Sequence, residues 1–168
     1  MDFVAQLHKE HSRANTDLIA NSIGNNAQLF KKIIDIIYNE EAPLPQRASW
    51  LLPVVNNKYP ELLVPYISKF SKTVVNFTVD GIKRNMLSVL EKHIIPKNEQ
   101  GKLVNVCFDY LLSPDETVAV KVYAMQIIAN ICVEHPELKN ELKVVINDQL
   151  LKNTAAFYSR ANKILKTL

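Results

Sequence analysis

An internal repeat of 38 residues is the feature that most constrains how this chain folds. Sliding the sequence along itself by that distance places Ala48 over Met86 and then over Ala124. The same shift aligns two further apolar columns, Leu51, Val89 and Ile127, and Leu52, Leu90 and Ile128. Because apolar residues three and four positions apart share one face of a helix, the columns predict a first helix, helix A, in each repeat.

The second half of each repeat carries its own apolar columns and predicts a second helix, helix B. These columns are Tyr66, Val104 and Leu142; Phe70, Phe108 and Ile146; and Val74, Leu112 and Leu150. Two B segments open with similar phrases, "YPEL" from Tyr59 and "HPEL" from His135, which lie two periods apart. Proline suits the first position of a helix, where its missing N–H has no partner, and the Glu after it suits the helix dipole. We expect both phrases to begin the same kind of α-helix.

Both ends of the chain continue the pattern in part. Near the amino terminus, Leu29, Ile33 and Ile37 repeat the B pattern. A helix before them is expected to carry Val4, Leu7, Ala14 and Leu18, and after the last repeat Ala161, Ile164 and Leu165 repeat the A pattern. The first and last units of a stacked array need such caps, because each has a neighbour on one side only.

We therefore expect one domain over residues 1–168, since a chain of this length suits a single core. Its caps are residues 1–25 and 155–168, its partial unit is 27–42, and its full units are 44–77, 81–113 and 118–152. The low glycine content and the scarcity of alternating apolar residues predict an all-α protein.

The paired helices and their period resemble the HEAT and armadillo repeat families. The first helix of a HEAT unit often reads Val-Arg-x-x-Ala-x-x-aliphatic-Leu. Similar wording appears as Val120-Lys121-x-x-Ala124-x-x-Ile127-Ile128 and as Ile82-Lys83-x-x-Met86-x-x-Val89-Leu90. The resemblance implies a right-handed α-α superhelix, HEAT/ARM-like, of about four helix pairs with capping helices.

Two prolines of the first unit bear on this resemblance. Leu44-Pro45 stands where the family pattern has Val-Arg, and Pro53 is similar to the prolines that kink the first helix of many HEAT units. Short bacterial HEAT-like chains with wording similar to residues 47–55 also carry the name adenylosuccinate lyase. Members of that lyase family are much longer and have a Ser-rich catalytic loop that this sequence lacks, so we expect no lyase activity.

Charge and cysteine content give no sign of nucleic acid, membrane or disulfide chemistry. Lys and Arg total 20 against 17 acidic residues, and both signs are spread evenly along the chain. No apolar run approaches the roughly 18 residues of a membrane span, and no signal-like start is present, so a cytoplasmic protein is expected. Cys107 and Cys132 lie in apolar, helix-like runs and are expected to be buried free thiols.

The resemblance places the B helices on the concave side, where ligands of such arrays bind. Their outward rows are expected to be Asp35, Lys72, Tyr110 and Asp148, beside Lys31, Ser68, Val106 and Val144. A phosphate-tracking groove needs rows of Lys and Arg, whereas this mixture favours a protein or peptide. Tyr110 with Val106 and Val144 would form an apolar centre inside a charged rim, as in an interface. The alternative is that the next helix or a self-contact covers part of this face.

Three further sets of residues leave alternatives open. Trp50 is either an outward binding anchor or packs under the amino-terminal helix. His8 and His11 share a helical face, but two ligands do not make a metal site, and we expect neither metal nor cofactor. His93 is expected at a half-buried helix end. Arg160, Lys163 and Lys166 either touch phosphate or form the solvated face of the last helix.

The sequence thus predicts a non-catalytic scaffold that binds a protein or peptide on its concave face. The alternative is a DNA-binding protein similar to the alkylpurine-DNA glycosylases built from HEAT-like repeats, with Asp109 or Asp148 beside Tyr110. That alternative is disfavoured because the groove lacks basic rows. A monomer or a weak homodimer is expected.

Overall fold

The computed structural model describes residues 1–168 as eleven α-helices joined by short turns, three of which are 3-10 helices. The α-helices are α1 (Phe3–Lys9), α2 (Arg13–Ile23), α3 (Ala27–Asn39), α4 (Leu44–Ser49), α5 (Leu51–Lys58), α6 (Ile67–Thr73), α7 (Asp80–Leu90), α8 (Lys97–Leu112), α9 (Val118–Ile131), α10 (Leu138–Leu150) and α11 (Ala155–Leu165). No strand is present, and the predicted all-α class is confirmed.

The helices stack in two rows with the core between them. One row runs from α2 through α5, α7 and α9 to α11, and each of these helices contacts the next. In the second row α8 contacts both α6 and α10. Ala48, Met86 and Ala124 are completely buried, because the repeat places them at the same point of each joint. Such a stack of helix pairs is an α-α solenoid.

Proline breaks the first A helix, as the sequence predicts. α4 ends at Ser49, Trp50 links the two pieces, and α5 begins at Leu51. Pro53 has no N–H to donate to the carbonyl of Ser49, four residues earlier, and its ring crowds that carbonyl. The break therefore falls where the missing hydrogen bond would have been.

The prediction that both PEL phrases begin an α-helix is wrong in detail. Residues Pro60–Leu62 form a 3-10 turn, a second one follows at Val64–Tyr66, and α6 begins only at Ile67. Pro65 cannot donate to the carbonyl of Glu61, so an α-helix cannot run through this segment. In the other phrase, α10 begins two residues after Pro136.

The amino-terminal cap also differs from the expectation. Two helices occupy it, because the Ser12 side chain accepts a hydrogen bond from the backbone N–H of Asn15 and starts α2 afresh. Ala14 and Leu18 are exposed, and Leu112, predicted in the core, is exposed at the end of α8. The two cysteines are buried and unpaired, which confirms their prediction. Burial raises the pKa of the Cys107 thiol.

Candidate functional site

Tyr110, expected at the centre of the exposed B-helix rows, lies in the core. It is 8% exposed, its ring lies 5.5 Å from the Lys83 ammonium, and its hydroxyl donates a long hydrogen bond of 3.4 Å to the Val74 carbonyl. Burial raises its pKa, and the nearby Glu116 carboxylate adds to this. The Tyr110 ring covers the buried Lys83 ammonium. Because this lysine is not part of the apolar columns, the columns could not predict that the ring points into the core. The predicted apolar centre at Tyr110 is therefore wrong.

The outer members of the predicted rows stay apart from one another. Lys31 and Asp35 pair within α3 at 2.6 Å, and Asp148 pairs with Lys152 at the end of α10, also at 2.6 Å. Val144 stands exposed on α10. Exposed pairs one helical turn apart stabilise their own helix only weakly. These residues do not form a common site.

Ser68, Lys72 and Val106 are the predicted residues that the structure brings together. Lys72 and Val106 line a cleft of about 370 Å³ between α6 and α8, and Ser68 accepts a hydrogen bond from Lys72. The other residues along the cleft walls are Ser71, Val75, Asn98, Glu99 and Lys102. Val75 and Val106 supply apolar surface, while the remaining residues are polar. We call this space the α6–α8 cleft.

The buried carboxylate of Glu99 contacts two side chains of α6 at the α6–α8 cleft. The Ser68 hydroxyl donates to its Oε1, which also lies 3.0 Å from the Lys72 ammonium, and Lys72 in turn donates to Ser68 Oγ at 3.1 Å. Burial acts to raise the Glu99 pKa, but the hydrogen bonds from Ser68 and Lys72 and the Lys72 charge together bring it below the usual value. Glu99 is therefore ionised at neutral pH and holds Lys72 beside the cleft. Its Oε2 is buried without a hydrogen-bond partner.

Sequence reasoning missed Asn98, Glu99 and Lys102, although a signal for them was present. Pro96 marks the start of α8, whose first residue is Lys97. From that start, Glu99, Lys102 and Val106 fall three and seven positions apart and share one face of the helix. The 38-residue alignment concealed this face, because the corresponding residues form a 3-10 turn at Pro60–Leu62 in one unit and precede α10 in the other.

Three of the remaining candidate residues, Trp50, His93 and Arg160, have intramolecular partners. Trp50 is half-buried, and its ring centroid lies 4.2 Å from that of His11, so it packs against the amino-terminal segment. His93 is half-buried just after α7, and its Nε2 lies 2.6 Å from Oδ1 of the buried Asn56. Arg160 donates to Glu91 at 3.0 Å, which ties α11 to α7 and leaves less of this cation for phosphate.

The fold and the cleft define the class of protein, a helical-repeat solenoid with a polar cleft between neighbouring B helices. A comparison with known families matches residues 3–168 to the HEAT repeat domain, and the chain belongs to that family. No curated protein and no solved structure matches the chain. None of its helices combines the length and the apolar character that crossing a membrane requires.

Proposed function

We propose that this protein is a non-catalytic scaffold that binds a protein or peptide on the face formed by its B helices. One observation carries the proposal: the α6–α8 cleft combines apolar walls at Val75 and Val106 with the Lys72 ammonium, which Glu99 holds in place. Interfaces commonly join an apolar centre to a polar rim in this way. The HEAT repeat family supports a scaffold in general terms, since its members commonly mediate interactions.

Site-specific photo-crosslinking in native lysate tests this function. A photoreactive amino acid replaces Val75 beside the cleft, and a matched control replaces Val79 at the start of α7. The two valines suit the comparison because they are 52% and 42% exposed, so both substitutions leave the core intact. We expect a discrete protein adduct at Val75, identified by mass spectrometry, and none at Val79.

Two outcomes would contradict the proposal. Adducts that form at Val79 alone would move the binding surface away from the B helices. Binding to duplex DNA that weakens steeply with salt would instead indicate a nucleic-acid protein. Tyr110→Ala is unsuitable for mapping the surface, because removing this buried ring leaves a cavity in the core.

A further inference from the structure

The α6–α8 cleft has more free hydrogen-bond donors than free acceptors. The Lys72 ammonium has three N–H groups, of which Glu99 and Ser68 engage two. Lys102 and Asn98 are exposed, and neither side chain has a hydrogen bond or ion pair within the chain. Free donors therefore outnumber accessible acceptors, because the one uncommitted oxygen of Glu99 is buried and the Asn98 side-chain oxygen is the main acceptor that remains.

The charges of the cleft also favour an acceptor as its occupant. Lys72 and Lys102 carry two positive charges against the single carboxylate of Glu99, so one positive charge remains uncompensated. That carboxylate holds Lys72 in place, but it repels a doubly charged anion more strongly than a singly charged one. The valine walls suit the methylene groups that precede a carboxylate in an acidic side chain.

The α6–α8 cleft adjoins a second cavity, and we call the two together the groove. Asn98 and Lys102 also line this second cavity, of about 640 Å³, between α8 and the start of α10. Gly101 lies between them on the exposed side of α8, where a Cβ atom would meet nothing within 4 Å. Glycine weakens a helix interior by about 1 kcal/mol relative to alanine, and nothing in the chain packs closely enough to require it. A glycine here lets another backbone approach α8 closely.

We propose that this groove binds an acidic peptide segment, with an Asp or Glu carboxylate seated between Lys72 and Lys102 of the α6–α8 cleft. The proposal rests on the scaffold function above and specifies the chemistry of its partner. The segment crosses α8 at Gly101, and the acidic side chain lies against Val75 and Val106.

Titration followed by amide chemical shifts tests the proposal on the full chain. Three pools of short peptides with blocked termini carry Glu and Asp, Gln and Asn, or Lys and Arg at the same positions. We expect the acidic pool alone to shift the amides of Lys72, Asn98 and Lys102. Lys102→Glu should weaken that binding about tenfold, because it reverses a charge in the cleft. Lys166→Glu, directly after α11, changes the net charge equally and should leave the affinity nearly unchanged.

The outcomes separate the peptide chemistry from the scaffold function. Equal shifts with the Gln and Asn pool would overturn the acidic specificity and leave the scaffold standing. Shifts of the B-helix face by none of the pools would overturn the binding of an acidic peptide, and the crosslinking result at Val75 would then decide the scaffold function by itself. Inorganic phosphate that saturates the same amides more tightly than the acidic pool would overturn the assignment to a carboxylate. Retained chemical-shift dispersion in the Lys102→Glu spectrum shows that the variant is folded.

Discussion

Lys83 and Lys121 occupy the same column of the repeat, yet their surroundings differ. Each is the fourth residue of its helix, in α7 and α9, and they are 7% and 5% exposed. The Lys83 ammonium lies 2.6 Å from Oε2 of Glu116 and 3.4 Å from Asp80. Lys121 forms no ion pair of this kind, and burial lowers its pKa, with Glu116 raising it and Lys152 lowering it further.

The difference follows from what stands at the start of each helix. Asp80 begins α7, but Val118 begins α9. Glu116 lies two residues before α9, but Asn153 holds that place before α11. The apolar pattern is thus repeated from one joint to the next, while the charges that compensate a buried lysine are not. A repeat can keep its packing and still differ in electrostatics at each joint.

Glu116→Ala is expected to have the largest effect on this comparison. It leaves the Lys83 ammonium buried without its main partner, which should lower the free energy of unfolding by about 3 kcal/mol. Chemical denaturation measures the loss. In a Lys83→Met background the same substitution should cost much less, because no buried charge is stranded. Equal losses in the two backgrounds would show that the ion pair is not responsible.

Val118→Asp should give Lys121 part of the ion pairing that Lys83 has. An Asp there stands in the position of Asp80 relative to its lysine, and we compare it with Val118→Asn, which has the same shape without the charge. The coupling to Lys121 should be about 1 kcal/mol in a double-mutant cycle with Lys121→Met. Any stabilisation of the Asp variant relative to the Asn variant that persists in the Lys121→Met background measures the interaction of the Asp charge with the helix dipole. A coupling of zero would mean that the two groups do not meet.

Lys121→Met tests the smallest effect, which is the contribution of the unpaired lysine to the pH dependence of the free energy of unfolding. Its pKa in the folded chain lies below the ordinary value of 10.5, so the folded state holds this proton less tightly than the unfolded state. The resulting penalty is full at neutral pH and is relieved as pH rises through the folded pKa toward 10.5. Lys121→Met should therefore stabilise by about 0.5 kcal/mol near neutral pH, and the gain should shrink at higher pH.

Denaturation near neutral pH and again at about pH 10 measures that change. Lys32→Met, which removes an exposed lysine, is the control for general effects of charge. A gain for Lys121→Met that stays constant, or grows, between the two conditions would contradict the lowered pKa.

Sequence reasoning succeeded for the A-helix columns and failed for Tyr110 and Leu112. Columns such as Ala48, Met86 and Ala124 are predictable because each sits at a joint where the same neighbours recur. Tyr110 turns inward to cover Lys83, and Leu112 ends its helix in solvent. The burial of each of these two residues depends on its own surroundings, which differ from one repeat to the next and which the repeat columns therefore do not show.

The candidate site was predicted in part for the same reason. Ser68, Lys72 and Val106 were found because they fall in the outward columns of the B helices. Glu99 also has a repeat column, with Glu61 and Glu137 one period away on either side, but those two residues lie in a 3-10 turn and just before α10. That column reveals a recurring glutamate, but it does not show that the glutamate on α8 meets Lys72, which lies on another helix.

The sequence by itself determined the helical class, the period of the stack, the helix break that Pro53 causes and the burial of both cysteines. The helical class and the break depend on the spacing of apolar residues and on the geometry of proline, which act within one or two turns of chain. The period and the buried cysteines follow from the repetition of that apolar spacing along the chain. Only the tertiary structure decided that Lys72 meets Glu99 and that Lys121 meets no carboxylate. Those contacts join residues of different helices, and the distance between side chains there depends on how each helix begins and how deeply it packs.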